Sequence, residues 1–407
     1  LRLSRVVLII VFSLLNYSSF AEIEQTRLDA VEKDLQGRVD EGKLSGAVIM
    51  IAQDGEIQMT KALGYQNVED QVPMQDDTIF RIFSMTKPVT GTALMILHDE
   101  GKFTLDDPIE KHLPELAGLR VAISASDDGT WETEPTNHPM TVRELMSHTG
   151  GLLYTPPLSS GPIAEAYADA GVLGDSTLAE SIPRLKDIPL DYQPGTKWVY
   201  SISVDVQGYL VERLSGQTLD NFFKERIFDP LGMEDTAFFV SQEKLSRFSR
   251  MYIPANGELL RTDSFGPGLG GSFTEKPKFL SGGGGLTSTA SDYMKFAQMH
   301  LNKGTLNGNR VLSENSIDLM RSNQLPAAVA EIGQPYPGNV FGLDFAVVEN
   351  PGIFQGAPVG THWWWGIAGS WFWIDPVNNT VFIGMIQNND ILLSLQIHRA
   401  ARSAIYE

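Results

Sequence analysis

The apolar runs of this chain fall in an order that leaves few folds open: strands near both ends and helices between. Near the start, 46–52 and 57–63 are strand-like runs joined through Asp54-Gly55, a dipeptide suited to a tight hairpin. Strand character returns only at 342–348, 370–374 and 381–386, the last two separated by a turn through Asp375-Pro376-Val377-Asn378-Asn379. Helical spacing dominates the middle, at 86–100, 141–147, 204–214, 219–228 and 290–302, with further helices at 23–41 and 393–405. Strands so far apart in sequence bury their faces most economically in one antiparallel sheet built from both chain ends and flanked by helices. The fold expected is therefore α/β of the α+β type. Residues 22–84 and 305–407 would form the sheet region, and 85–304 a mainly helical insertion. The stretches 121–139, 154–162 and 254–285 read as long loops, and 113–139 as a surface loop. A cleft between sheet and insertion is the expected place for a site.

Composition narrows the chemistry. The 407 residues include no Cys, 31 Lys plus Arg and 50 Asp plus Glu, a formal net charge of −19. Without thiols there is no disulfide, zinc–thiolate site, iron–sulfur cluster or Cys nucleophile, so covalent catalysis would have to use oxygen or nitrogen. A field of that sign repels phosphate backbones and anionic membranes, which argues against nucleic acid as a partner. Residues 1–21 differ from the rest: Arg2 and Arg5, an apolar run over 6–15, then Ser19-Phe20-Ala21. This is the layout of a removable export signal, too short to span a bilayer comfortably. It predicts a periplasmic or secreted protein with no stable membrane anchor after removal.

Several motifs fall away. There is no His-Glu-x-x-His, P-loop or Gly-x-Ser-x-Gly, and the seven His lack metal-ligand spacing, so neither a metal nor a cofactor is expected. Gly266-Pro267-Gly268-Leu269-Gly270-Gly271 has the bare spacing of a dinucleotide fingerprint, but no buried strand precedes it and no helix follows. It reads as a flexible loop. His148, at the end of a helical run, reads as a structural histidine.

Three segments remain. In Phe83-Ser84-Met85-Thr86-Lys87-Pro88, a helix starting at Ser84 places Lys87 one turn on, within reach of the hydroxyl. The helix terminus favours negative charge on Ser84, and a desolvated Lys with a depressed pKa can accept a proton. Ser241-Gln242-Glu243-Lys244 has the same spelling, but in polar surroundings with a Glu beside the Lys. Ser84 instead lies among Ile79, Phe80, Ile82 and Phe83 and an apolar helix face, which favours a buried site. Tyr200, in Trp198-Val199-Tyr200-Ser201-Ile202-Ser203, precedes a helix; near a Lys ammonium it could be held partly as phenolate and act as a general base. The third is His362-Trp363-Trp364-Trp365-Gly366-Ile367-Ala368-Gly369-Ser370. Its glycines would admit a ligand to the backbone, a free N–H there could serve an oxyanion hole, and its Trp run offers an apolar wall.

The order Ser84-x-x-Lys87, Tyr200, then a Trp/Gly strand motif resembles the serine β-lactamase and penicillin-binding protein superfamily. Glu144-Leu145-Met146-Ser147-His148-Thr149-Gly150-Gly151-Leu152, Tyr192–Ser201, Asp229–Thr236 and Gly283–Thr289 are similar to further stretches of that family, so the resemblance covers about 24–405. Within it, the chain looks most like the class C-like branch that includes family VIII carboxylesterases. The resemblance implies Ser84 as acylated nucleophile, Lys87 as its proton partner and Tyr200 as base. It also implies an oxyanion hole from the backbone N–H groups of Ser84 and Ile367, and a substrate wall from Trp364, Trp365 and Gly366. Two departures matter. Ile202 stands where a Tyr-x-Asn motif has its Asn, and Trp364-Trp365-Gly366 aligns with Lys-Thr-Gly, so no cation is present to hold a substrate carboxylate. Trp365 also replaces the first Gly of the esterase branch's Trp-Gly-Gly. These features imply a carboxylesterase for small or medium acyl esters. A β-lactamase or D-amino-peptide hydrolase, or a non-catalytic binding protein using the same cleft, are the alternatives.

Overall fold

The hairpin expected around Asp54-Gly55 forms, with both turn residues at positive φ (52° and 83°), as a tight two-residue hairpin requires. It joins β1 (Gly46–Gln53) to β2 (Glu56–Asn67). The computed structural model describes residues 22–125, 130–255, 257–262 and 271–407. The expected export signal at 1–21 and all but the last glycine of the 266–271 run lie outside the described residues.

A short β3 (Val72–Pro73) pairs with β2, and five strands come from the other end of the chain. These are β4 (Asn339–Phe341), β5 (Ala346–Val348), β6 (His362–Trp365), β7 (Trp371–Asp375) and β8 (Thr380–Met385). The eight strands run β4-β5-β6-β7-β8-β1-β2-β3, every pairing antiparallel. The two chain ends meet where β1 pairs with β8, Val48 opposite Met385. This is the expected sheet made from both ends.

Helices cover both faces, so the central strands are buried throughout. α1 (Gln25–Asp40) and α5 (Ile391–Tyr406) lie on one face and α4 (Ala290–Leu301) on the other, while α2 (Thr86–Asp99) and α3 (Ser203–Ser215) pack on each other. Side chains alternate along a strand, and β7 shows the result. Trp371 and Trp373 meet His398 and Tyr406 of α5, whereas Phe372 meets Tyr293 of α4. α1 lies beside α5.

The structure corrects several sequence expectations. The run 342–348 is not one strand: a turn at 342–345 separates β4 from β5, with Asp344 at φ +62°. β6, expected only as a lead-in to the next strand, is a strand in its own right. The stretch 113–139 is not all loop, because Arg120–Ala125 pairs with Trp131–Pro135. That ribbon buries little besides Val121, so it has no apolar alternation to announce it. Within 254–285, a second hairpin joins Tyr252–Ala255 to Glu258–Arg261. The helix expected over 219–228 starts as Leu219–Phe223 and loosens into a π-helix over Lys224–Phe228.

Candidate active site

Ser84 lies in a single 3₁₀ turn, Phe83–Met85, that runs directly into α2. Phe83 takes a positive φ of 42°, an uncommon conformation for an aromatic residue that turns the chain sharply ahead of Ser84. The segment 281–288 clasps this terminus. Leu286 N–H donates to Thr86 Oγ1 (3.1 Å), and Thr90 Oγ1 donates to the Gly282 carbonyl (2.7 Å).

Lys87, in the first turn of α2, is fully buried. Its Nζ lies 3.3 Å from Ser84 Oγ, 2.8 Å from the Tyr154 hydroxyl and 2.6 Å from the Gly283 carbonyl. Burial pushes the amine down to about 7, against the pull of the Asp205 and Asp344 carboxylates. Asp205, also buried, accepts from Ser281 Oγ (2.6 Å) and Gly283 N–H (3.1 Å), so one carboxylate orders the loop whose carbonyl holds Lys87. The other Ser-x-x-Lys copy serves structure: Lys244 pairs with Asp235 at 2.7 Å, not with the neighbouring Glu243.

Tyr200 joins this pair, in an arrangement the sequence did not suggest. Lys87 Nζ sits over the Tyr200 ring, 4.6 Å from its centroid, and spends its hydrogen bonds elsewhere. Burial raises the Tyr200 phenol above its ordinary value, while hydrogen bonds from Ser84 and Trp364 act the other way. Burial thus works against the expected phenolate on Tyr200 and against an ammonium on Lys87. Tyr154 was missed altogether. It closes the gap between Lys87 and Tyr200, its ring 5.3 Å from that of Tyr200. Its only sequence signal was its place just after the 144–152 stretch. His148 is a prop, as expected: its Nδ1 accepts Ser201 N–H (3.2 Å) and its ring lies 5.0 Å from that of Tyr200.

The Trp/Gly segment reaches the same place from the sheet. Trp364 is buried, and its Nε1–H donates to the Tyr200 hydroxyl at 3.3 Å. Trp365 donates to the Tyr336 hydroxyl (2.7 Å), and both indoles border the cavity above Ser84. Gly366 does not border it. A Cβ there would stand 2.3 Å from the Ile82 carbonyl, so the glycine lets the end of β6 press against the turn carrying Ser84. The next residue, Ile367, lines the cavity, and its N–H makes no hydrogen bond among the described residues.

The cavity measures about 900 Å³. Its walls are mostly apolar, with Phe83, Phe238, Phe273, Trp365, Ile367 and Leu395 around Ser84. A hydroxyl, an amine within reach of it whose proton affinity burial lowers, a phenol and a backbone N–H with no hydrogen bond among the described residues, beside an apolar chamber, are the parts needed for acyl transfer through serine.

The Beta-lactamase family model matches residues 31–402. Esterase EstB of Burkholderia gladioli is 33% identical, covering 85% of this chain and 86% of that protein. The lovastatin esterase of Penicillium rubens is 27% identical over 88% of this chain and 92% of its own length. Among solved structures, EstCE1, described as a hydrolase with promiscuous acyltransferase activity, superposes with a TM-score of 0.78 at 25% identity. The match covers 94% of this chain and 99% of that one. The simvastatin synthase LovD of Aspergillus terreus, in an unliganded form, also gives 0.78 at 26% identity, covering 93% and 98%.

Proposed function

The chain belongs to the Beta-lactamase family and is a serine hydrolase of it, and on that premise we propose that it is a carboxylesterase acting through an acyl-Ser84 intermediate. The observation that carries the reading is the contact between a buried, easily deprotonated Lys87 and the Ser84 hydroxyl at the floor of an apolar cavity.

Lys87 takes the Ser84 proton as Oγ bonds to the acyl carbon, and the N–H groups of Ser84 and Ile367 receive the charge on the carbonyl oxygen. Tyr200 gives its hydroxyl proton to the departing alcohol and is reprotonated from Lys87 through the Tyr154–Tyr200 pair. Water then attacks the acyl carbon as Tyr200 takes its proton and hands its own on to Lys87 through Tyr154, and Lys87 returns that proton to Ser84 Oγ as the acid leaves. No cation stands at the third motif, where Trp364 offers an indole N–H, and the walls are apolar. Neutral acyl esters suit this site better than carboxylate-bearing β-lactams. Names of relatives point the same way, EstB and lovastatin esterase being esterases. The 1–21 segment adds export to the proposal, with action in the periplasm or outside the cell.

The test is turnover of p-nitrophenyl esters alongside fluorophosphonate labelling read by intact mass. Wild type should hydrolyse the esters and gain one adduct, mapped to Ser84, and Ser84→Ala should lose both. Turnover that survives in Ser84→Ala would end the proposal, and faster turnover of nitrocefin than of any ester would reassign the substrate.

A further inference from the structure

Asp344 lies near this site and has no part in the acyl transfer proposed for it. It sits in the turn between β4 and β5, fully buried, with its backbone in the left-handed region at φ +62°. One carboxylate oxygen, Oδ1, accepts from Gln207 Nε2 at 3.0 Å. The other, Oδ2, makes no hydrogen bond among the described residues, and neither does Gln207 Oε1. Oδ2 lies against α2 at Gly91, where an added Cβ would come within 2.5 Å of it. Gly91 is four residues after Lys87, so the oxygen rests on the helix face that carries the amine, one turn along.

A structural role does not account for this. Buried carboxylates are costly unless paired, and an unpartnered buried oxygen in a native core calls for a reason. Asn has the same size, tolerates the same left-handed backbone and would bring N–H donors to a place with two orphaned acceptors. What Asn lacks is negative charge. Ser84, Tyr154, the Gly283 carbonyl and the Tyr200 ring stand around the Lys87 amine, and of the ionisable groups beyond them His148, Asp205 and Asp344 interact with its charge. Asp205 spends its Oδ1 on Ser281 and Gly283, and Asp344 spends its Oδ1 on Gln207 and keeps a buried Oδ2 with no hydrogen bond among the described residues.

We propose that Asp344 is a positioning residue for Lys87: a buried countercharge that holds the ammonium formed when Lys87 takes the Ser84 proton. The inference rests on the acyl-Ser84 reading. In that step the Ser84 O–H bond breaks, an N–H bond forms on Lys87, and the Ser84 oxygen bonds to the acyl carbon. Asp344 takes no proton and stays a carboxylate beside the new cation. Burial holds the Asp344 carboxyl well above its ordinary value, and the Gln207 hydrogen bond and the Lys87 ammonium pull it back, so a charge on Lys87 favours a charge on Asp344.

The experiment is Asp344→Asn in the full chain, with Asp344→Gly as a second variant that relaxes the backbone. Lysine labelled with ¹³C at Cε reports the Lys87 titration by NMR, independently of any substrate, and p-nitrophenyl butyrate gives the pH profile. The Lys87 midpoint should fall by about one pH unit, the range expected when a nearby opposite charge is lost. The acid limb of kcat/KM should move down with it, and kcat should drop at least ~10-fold with KM within ~2-fold, as for an interaction made only in the transition state. The urea midpoint of Asp344→Asn should not fall. An unmoved Lys87 midpoint in whichever variant folds, or a kinetic loss that merely follows lost stability, overturns the proposal. If wild type turns over no ester, the esterase reading fails on its own, and the lysine titration still decides the part played by Asp344.

Discussion

Replacing Lys87 with Met tests directly what it costs to bury the amine. Burial takes Lys87 from the ordinary lysine value of 10.5 to about 7. Each tenfold loss of proton affinity is worth about 1.4 kcal/mol, so at pH 7 the folded state forfeits about 4 kcal/mol relative to a solvated, charged lysine. A base with a lowered folded pKa holds fewer protons folded than unfolded. Stability therefore rises with pH between about 7 and 10.5, and the cost is constant below 7. Met fills nearly the same space without charge, but it abandons the Gly283 carbonyl and the Tyr154 hydroxyl. Leaving a buried acceptor unpaired costs about 1–3 kcal/mol, while Asp205 and Asp344 can neutralise themselves by taking protons. The variant should be more stable than wild type by about 1–3 kcal/mol at pH 7 and catalytically dead. Urea unfolding followed by Trp fluorescence at pH 7 and pH 9 reads both parts. Wild type should gain about 2 kcal/mol over that interval, a gain the variant lacks. A Met variant less stable than wild type at pH 7, or one that gains stability with pH as wild type does, would show that the lysine is not held as a near-neutral amine.

Three further outcomes follow from the same geometry. Trp364→Phe keeps the ring but removes the N–H that reaches Tyr200 at 3.3 Å; steady-state kinetics should show kcat down about fivefold with little change in KM, the worth of one hydrogen bond. Gly366→Ala puts a methyl 2.3 Å from the Ile82 carbonyl, so the turn carrying Ser84 must shift. Thermal unfolding should show a loss of about 2 kcal/mol or more, and ester turnover should nearly vanish. In wild type, kcat/KM should decline about tenfold per pH unit below pH ~7 as Lys87 becomes charged and can no longer accept a proton. A profile flat to pH 5 would contradict the assignment of Lys87 as base.

What could be read from the sequence was whatever repeats along the chain. The strands at both ends, α2, α3, α4 and α5 announced themselves by periodicity, because each buries a regular face. The ribbon at 120–135 and the turn at 342–345 did not. The first is exposed, and the second is set by one residue's backbone. Ser84, Lys87 and Tyr200 were legible as candidates because their spacing is local or motif-bound. Tyr154 and Asp344 were invisible for the opposite reason, since each enters the site through a contact far away in sequence.

The Trp triplet lies where the motif led one to look, and its side chains do more than form a wall. It was expected as an apolar wall. Strand alternation gives the three indoles different tasks. Trp363 turns toward α5, where Arg402 lies over its ring, and donates to Asn339 Oδ1. Trp365 borders the cavity and donates to Tyr336. Trp364 turns to Tyr200. The position that aligns with the Lys of a Lys-Thr-Gly motif thus holds a neutral donor, Trp364. An ammonium there would pull the Tyr200 phenol down toward ionisation; an indole N–H at 3.3 Å orients the hydroxyl but leaves burial in charge of its proton. Burial favours the neutral phenol and lowers the proton affinity of Lys87, which is why Lys87 is the base in the proposed reaction. The missing cation and the depressed lysine are in this sense one feature. Trp364→Lys should lower the Tyr200 phenol and further depress Lys87 by like-charge repulsion. The ester profile would then acquire a second, alkaline-shifted limb that the wild-type profile lacks, and its absence would separate the two features again.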